Sequence, residues 1–200
     1  MFREYEVCPL PAPVQSLRDV TEVKGSMVVA SIRGLREEGH YDRYLTNLTP
    51  AQRDLIPFIT AGEWVPIGTV IAHYSACEAL KLSVSENVRL GDKMATRINS
   101  NLVSTIAIIA RATGVTPFTI LGFAQRAFAS VFRGGGVRVV AVGEKEARFE
   151  MYRNPALAVP WHRNGWCGNI RTNLQPLCKT CRVTVEQFDG ANAQYRVVWA

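Results

Sequence analysis

Apolar residues recur at three- and four-residue spacing between residues 24 and 132. Val28, Ile32 and Leu35, for example, share one face of a helical projection. The longest stretch with this period is predicted to take Ser85 as its N-cap, because a serine hydroxyl can accept from the free amides of a first turn. The pattern predicts helices over residues 24–39, 41–48, 49–56, 67–82, 86–113 and 117–132.

After residue 136 the hydrophobic period changes from 3.6 to two. Residues 137–153 predict two strands about a turn at Gly143 to Glu146, and residues 181–199 predict two more about Asp189 to Asn192. A helix is predicted between the two hairpins, over residues 161–178. The fold class is therefore α+β, in which a helical N-terminal two-thirds precedes a strand-strand-helix-strand-strand antiparallel unit.

The opening residues 1–22 contain Pro9, Pro11 and Pro13. Closely spaced prolines exclude a helix, so this segment is predicted to be an extended arm. Residues 23–200 are predicted to form a single α+β domain, with a helical part over residues 23–135 and a sheet part over residues 136–200.

Charge does not favour a nucleic-acid binder. The chain has 23 Lys and Arg against 17 Asp and Glu, but its arginines are scattered without a run of three. A nucleic-acid site needs clustered positive charge and a motif that reads the bases, so no DNA partner is expected. Arginine-driven binding of nucleic acid or anionic lipid stays as an alternative.

The sequence favours the cytoplasm. Charged residues stand where a signal peptide needs an apolar run, and no stretch approaches the roughly 18 apolar residues of a membrane span. In a reducing compartment the five cysteines should remain free thiols.

Three of these cysteines fall close together near the end of the chain. A structural zinc site would use His162, Cys167, Cys178 and Cys181, since zinc takes four nitrogen or sulfur ligands and a C-x2-C pair commonly supplies two. Alternatively Cys167 and Cys178 lie at helical spacing with Ile170 on a buried apolar face. A redox-active or ligand-modified thiol is the third interpretation.

No catalytic constellation is evident. His73 lies among apolar residues of a predicted helix and is expected to be a hydrogen-bonded core histidine. Ser75 and Cys77 are near it in sequence, but a nucleophile and base on one helix need a third, orienting group that the sequence does not offer. The protein is predicted not to be an enzyme.

Several short motifs resemble a paralogous family of unknown function that is expanded in myxobacteria. They extend over most of the chain after the proline arm. The motifs are VKGSMV at residues 23–28, EWVPIG at 63–68, RLGDKMA at 89–95, TPFTIL at 116–121, CGNIRTNL at 167–174 and VVW at 197–199.

That family is distantly similar to the superfamily of heme-NO-binding domains, four-vinyl-reductase domains and TRAPP subunits. The resemblance implies a module that holds a ligand or a partner. It also implies, for heme, an axial histidine on the helix before the sheet and a Tyr-x-Ser-x-Arg signature. Residues 117–132 contain no histidine, and Tyr152 and Arg153 lack the serine and the spaced arginine. Heme is therefore not expected, and among cofactors only zinc remains possible.

The leading hypothesis is a non-enzymatic sensory or scaffolding module that holds a hydrophobic small molecule or a partner protein. The predicted pocket lies between the helices and the sheet, and its lining residues are His73, Cys77, Phe123, Phe128 and Trp166.

The resemblance also implies a homodimer. Residues 26–35 and 69–80 are the predicted interface, because both helices look too apolar for a surface exposed to water.

Overall fold

The computed structural model describes the backbone of residues 2–113 and 115–200 and the side chains of residues 2–98 and 115–200. Within these ranges the helices are α1 Gly25–Glu37, α2 Tyr41–Thr46, α3 Pro50–Leu55, α4 Ile67–Glu78, α5 Val84–Thr113, α6 Pro117–Leu121, α7 Ala124–Val131 and α8 Pro160–Leu174. The strands are β1 Tyr5–Cys8, β2 Glu22–Lys24, β3 Trp64–Pro66, β4 Phe132–Arg133, β5 Gly136–Gly143, β6 Glu146–Tyr152, β7 Cys181–Phe188 and β8 Ala193–Trp199.

The main sheet is antiparallel and confirms the predicted fold class. Its strand order is β1-β5-β6-β8-β7, and both predicted hairpins, β5-β6 and β7-β8, are present. Alternate residues such as Val139, Phe149 and Tyr195 are buried against the helices, as the period of two requires. The helix between the hairpins, α8, covers this face.

The proline arm is part of the sheet. Tyr5 pairs with Ala141 and Cys8 with Val139, so β1 adds a fifth strand beside β5. Further along the arm the amide of Val20 donates to the carbonyl of Arg153 at 2.7 Å. A strand of four residues is too short for its period to be evident in sequence.

A second, small sheet has the order β3-β2-β4 and was not predicted. Val23 on β2 pairs with Val65 on one side and Phe132 on the other. This sheet joins the start of α1, the start of α4 and the end of α7. Its strands have two or three residues each, so helical periodicity in the neighbouring segments conceals them.

Several predicted helix limits are wrong. Helix α4 ends at Glu78 and not near residue 82. Helix α8 ends at Leu174, so Cys178 lies outside the helix whose apolar face was predicted to hold it.

The helix predicted over residues 117–132 is interrupted at Gly122 and Phe123, which separate α6 from α7. The N-terminal box of α5 uses Ser83 instead of Ser85: its hydroxyl accepts from the Glu86 amide at 3.3 Å, and the Glu86 carboxylate accepts from the Ser83 amide at 2.8 Å.

Helices α5 and α8 pack backbone to backbone. A Cβ on Gly168 would overlap the Val88 carbonyl oxygen, and one on Gly91 would overlap the carbonyl of Gly165. The Asp92 carboxylate on α5 accepts a hydrogen bond from the Arg171 guanidinium on α8 at 3.2 Å, which also links the two helices. The glycines therefore set how closely α8 approaches.

The apolar residues that suggested a dimer interface on α1 and α4 are largely buried within the chain, and the dimer itself stays a prediction. Helix α1 buries Met27, Val28 and Leu35 within the chain itself, and α4 buries Val70 and Tyr74. Both helices are apolar because they form the core. In the parts of the chain that the structure describes, no helix has the length and hydropathy needed to cross a membrane.

Candidate functional site

Two histidines lie in the core where α2, α4 and α8 meet. His73 on α4 is completely buried. The Tyr44 hydroxyl lies 2.7 Å from its Nδ1 and the Ser31 hydroxyl lies 2.8 Å from its Nε2. Because a neutral imidazole has one donor and one acceptor nitrogen, the two hydroxyls take opposite hydrogen-bonding roles. His73 is the core histidine that the sequence predicts.

His162 on α8 lies in an aromatic stack. Its ring is 4.2 Å from that of Tyr74 and nearly parallel to it, and the Trp166 indole nitrogen donates to its Nε2 at 3.1 Å. Trp161 stacks on the other rings at 5.3 Å from Tyr74 and 6.3 Å from His73. The helical spacing of α8 places Trp161 and His162 toward α4, and Trp166 one turn further on beside His162.

These side chains form what we call the interior aromatic cluster. Its members are Tyr44, His73, Tyr74, Trp161, His162 and Trp166. Burial lowers the pKa of both His73 and His162 to about 3, and the proximity of His73 adds to the effect on His162. Both imidazoles are therefore neutral at physiological pH.

A cavity of about 20 Å³ adjoins this cluster between α5 and α8. Its lining consists of Gly91, Met94, Trp161, His162, Gly165, Trp166 and Asn169. Such a volume has room for a single water molecule. Sites for small organic ligands are commonly about 300–1,000 Å³.

Of the five residues predicted to line a ligand pocket, Trp166 lines the cavity of about 20 Å³ and the other four do not. His73 and Cys77 are fully buried, with the Cys77 sulfur 3.9 Å from Nε2 of His73. Phe128 stacks on Phe132, which in turn contacts Trp166. Phe123 is 56% exposed, because it lies in the break between α6 and α7 that the sequence did not reveal. The pocket prediction is wrong for Phe123.

The predicted zinc ligands are not brought together. Across residues 2–98 and 115–200, no three His, Cys, Asp or Glu side chains form a group that could hold a metal ion. His162 faces the aromatic cluster, and Cys167 lies buried on the apolar face of α8. Cys178 and Cys181 alone are within hydrogen-bonding contact of each other. Burial raises the pKa of Cys181 to about 12, so this thiol is protonated in the metal-free chain at physiological pH.

The other face of the sheet has a charged cluster that the sequence did not identify. Glu150 is buried and accepts from Arg138 at 2.5 Å, from Arg148 at 2.9 Å and from the Tyr152 hydroxyl at 2.9 Å. Burial opposes its ionisation, but these donors together hold the pKa of Glu150 below its usual value. Alternation along β5 and β6 places these residues together, although charge in the sequence looks scattered.

A row of aromatic side chains lies at the surface beside β1, and we call it the aromatic strip. It consists of Phe2, Tyr5 and Phe118, with ring centroids 6.2 Å apart for Phe2 and Tyr5 and 6.0 Å apart for Tyr5 and Phe118. Phe118 also contacts Trp199 at the end of β8. Tyr5 is 51% exposed, and β1 is an outer strand of the sheet.

Many arginines are paired with carboxylates. Arg89 and Lys93 on α5 pair with Glu38, and Arg97 pairs with Glu37, so the positive side of α5 is joined to the end of α1. The excess positive charge is thus dispersed over several elements. This arrangement differs from the concentrated patch of a nucleic-acid interface.

A family model matches residues 76–200, more than half of the chain. The chain belongs to a family described as proteins of unknown function, DUF2378. The predicted relationship to a family of unknown function is thereby confirmed. No curated protein sequence matches the chain.

Solved structures of H-NOX proteins share the fold. The Fe(II) unliganded H-NOX protein from K. algicida has a TM-score of 0.62 at 10% identity, and the match covers 88% of this chain and 96% of that one. A mutant H-NOX from T. tengcongensis has a TM-score of 0.58 at 14% identity, with 88% and 97% covered. An oxygen-binding H-NOX domain related to soluble guanylate cyclases, in complex with oxygen, has a TM-score of 0.56 at 14% identity, with 88% and 94% covered. The predicted distant similarity to heme-NO-binding domains is confirmed at the level of the fold.

Proposed function

We propose that this DUF2378 protein is a non-enzymatic sensory or scaffolding module of the cytoplasm whose ligand is a partner protein. The observation that supports this choice over an internal small molecule is the close packing of the described side chains around the interior aromatic cluster. Beside the interior aromatic cluster the free space is about 20 Å³, which is far below the volume of a small-molecule site. Recognition of a partner would then take place at the surface of the protein.

The structurally similar H-NOX proteins raise the question of heme, since they include structures of H-NOX heme distortion and of an oxygen complex. The residues present here do not fit that group. His73 has a hydroxyl at hydrogen-bond distance from each ring nitrogen, and Nε2 of His162 accepts from Trp166. Neither histidine presents one of these nitrogens to an open space that could take a porphyrin. The expectation that heme is absent stays a prediction, now with a geometric basis.

Catalysis is disfavoured because a substrate could not reach the candidate residues. Cys77 and His73 are the one thiol and base in contact among the described side chains, yet both are completely buried. Burial also raises the pKa of Cys77, so the thiol stays protonated and weakly nucleophilic. A substrate would have to displace core side chains to reach them.

The aromatic strip is the surface that we assign to the partner. Exposed aromatic rings in contact with one another are enriched at protein interfaces, where they supply much of the binding energy. Tyr5 and Phe118 hold each other in place, and Phe118 is supported by Trp199. The strip therefore presents a fixed apolar surface with little entropy to lose on binding.

Native mass spectrometry and capture experiments test the proposal together. We expect purified protein to have the mass of the polypeptide without a retained small molecule, and hemin to produce no stoichiometric, histidine-ligated absorption spectrum. Chemical cross-linking in cells of the source organism should then capture a protein with the wild-type chain and lose it with Tyr5→Thr.

Phe58→Thr is the matched control, because Phe58 is a 76% exposed aromatic outside the strip. Capture should survive this change. A stoichiometric small molecule in the native spectrum, or capture that is indifferent to Tyr5→Thr, would refute the proposal.

A further inference from the structure

Cys178 and Cys181 differ from the other three cysteines of the chain in their exposure. Cys8, Cys77 and Cys167 are buried, whereas the side chains of Cys178 and Cys181 are only partly buried. These two thiols also lie within hydrogen-bonding contact of each other. Reactive cysteines are partly exposed, and those that sense oxidants often lie next to a second thiol that resolves the first product.

A short turn holds the two cysteines at the junction of α8 and β7. Cys178 comes four residues after the end of α8, and Cys181 is the first residue of β7. Between them, the amides of Lys179 and Thr180 both donate to the carbonyl of Ala200, at 2.7 and 3.2 Å. The backbone of the turn is therefore fixed to the end of the chain, and it keeps the two sulfurs on the same side.

We propose that Cys178 and Cys181 form a reversible disulfide within the chain, with a small-molecule disulfide such as oxidised glutathione as the oxidant. The Cys178 thiolate attacks one sulfur of oxidised glutathione, and the electron pair of the broken S–S bond leaves with a glutathione thiolate. Cys181 then loses its proton and attacks the Cys178 sulfur, and the second glutathione leaves as a thiolate. Two protein thiols lose two electrons, and one oxidised glutathione becomes two reduced molecules that take up the two protons.

The order of the two attacks follows from the environments of the thiols. Burial raises the pKa of both, and contact with Cys178 raises that of Cys181 further, to about 12. The same contact has the opposite effect on Cys178, because a thiolate there accepts a hydrogen bond from the Cys181 thiol. Cys178 is therefore the first to ionise and to attack. The nearby Arg171 guanidinium favours the Cys181 thiolate in the second step.

The cost of forming the bond is small in the surrounding structure. Cys178 Sγ donates to the carbonyl of Leu174 at 3.3 Å, and oxidation removes this hydrogen bond. A thiol is a weak donor, so little stability is lost. The disulfide then links the first residue of β7 to the segment that leaves α8.

A metal ion is a poorer occupant of the same pair. Zinc takes four ligands, and among the side chains of residues 2–98 and 115–200 no third His, Cys, Asp or Glu forms a metal-binding group with the two thiols. A disulfide needs no third residue. In the cytoplasm that we propose for this chain, such disulfides are transient and respond to a change in redox state.

This inference goes beyond the proposed function and does not depend on it. The thiol pair lies outside the aromatic strip, and its oxidation is measured without a partner protein. Partner capture can therefore fail while the disulfide forms, and the reverse also holds.

Thiol counting in glutathione buffers tests the proposal, with alkylation after denaturation and peptide mass spectrometry as the readout. The folded wild-type chain should lose two thiols together as oxidised glutathione increases, and regain both in reduced glutathione. Cys181→Ser should instead retain one glutathione on Cys178, because the resolving thiol is absent. Cys8, Cys77 and Cys167 are internal controls in every sample and should remain free, since they are buried.

Cys8→Ser is the matched control variant. A serine hydroxyl can replace the Cys8 sulfur as acceptor of the Gln125 amide, so this chain should lose two thiols as the wild type does and retain no glutathione. The proposal is overturned by a wild-type chain that keeps both thiols throughout, that forms disulfides between chains instead, or that loses a buried thiol at the same glutathione ratio. Equal retention of glutathione by Cys8→Ser and Cys181→Ser would also overturn it.

Discussion

The interior aromatic cluster and the two edges of the main sheet differ in whether their polar groups find partners within the chain. In the cluster, Tyr44 and Ser31 occupy the nitrogens of His73, and Trp166 occupies one nitrogen of His162, all from within the chain. At the edges, β1 and β7 leave backbone groups and exposed side chains without strand partners in the described structure. A chain can thus keep the H-NOX fold with a closely packed aromatic cluster in its described interior, and the recognition that we propose is assigned to the rim of the sheet.

Acid should produce the largest effect, and it acts on the interior. The pKa of His73 and that of His162 are both lowered to about 3, against 6.5 for an unperturbed histidine. The unfolded chain therefore binds more protons below pH 6.5. Stability should be full above pH 6.5 and fall as the pH drops toward 3, by about 1.4 kcal/mol per pH unit for each histidine. Denaturant unfolding between pH 7 and 5 measures the slope.

The pH range over which stability is lost distinguishes the histidines from the carboxylates as the cause. Glu38 and Glu150 also have lowered pKa values, but relative to 4.5, so their contribution is lost mainly at lower pH. His162→Gln should reduce the slope between pH 6.5 and 5 by about half. A stability that is flat in this range would mean that the histidines are accessible to protons in the folded state, and the interior would not be closed.

Disruption of the close packing between α5 and α8 should have the next largest effect on stability. Gly168→Ala should destabilise the protein by about 3 kcal/mol, because the added Cβ overlaps the Val88 carbonyl and the helices must separate. Gly68→Ala, in α4 with open space around the Cβ position, should be neutral or stabilise by up to about 1 kcal/mol. Thermal unfolding compares the two. Equal melting temperatures would show that the helices are further apart than the structure places them.

Loss of one hydroxyl in the cluster should have a smaller effect. Tyr44→Phe removes the partner of Nδ1 on His73 and leaves a buried ring nitrogen without a hydrogen bond. The expected cost is about 1–3 kcal/mol in the free energy of unfolding. Tyr41→Phe is the control, since Tyr41 is a half-buried neighbour whose hydroxyl accepts from exposed Arg36. If both variants unfold alike, the contact between Tyr44 and His73 contributes nothing.

Much of the fold follows from residue patterns that are long enough to have a period. The strands of the two hairpins extend over seven or more residues each and were predicted with nearly correct limits, whereas α8 was predicted with a correct start but ends at Leu174, four residues before the predicted end. The small sheet of β2, β3 and β4 was missed, because strands of two or three residues show no alternation. Ser83 and Ser85 are both reasonable caps by sequence, and only the position of Glu86 relative to Ser83 distinguishes them.

The site was less predictable because it depends on contacts between distant segments. The sequence identifies His73 as a core histidine but does not reveal that Tyr44 and Ser31 bind its ring nitrogens. The sequence offers His162 only as a ligand of the alternative zinc site, because cysteines lie nearby, whereas its stacking on Tyr74 depends on how α4 crosses α8. A histidine flanked by tryptophans on one helix is the signal that would have suggested an aromatic stack.

The smallest effect on stability should come from the edge. Tyr5→Thr places a β-branched residue, which suits a strand, on β1 and removes a ring that is half exposed, so the free energy of unfolding should change by less than about 0.5 kcal/mol. The same substitution is expected to abolish partner capture. A substitution at the rim of the sheet should therefore affect binding and not folding. A substitution in the interior aromatic cluster should affect folding first. If Tyr5→Thr instead destabilises the chain as much as Tyr44→Phe does, the aromatic strip belongs to the core, and its exposure is not evidence of a partner.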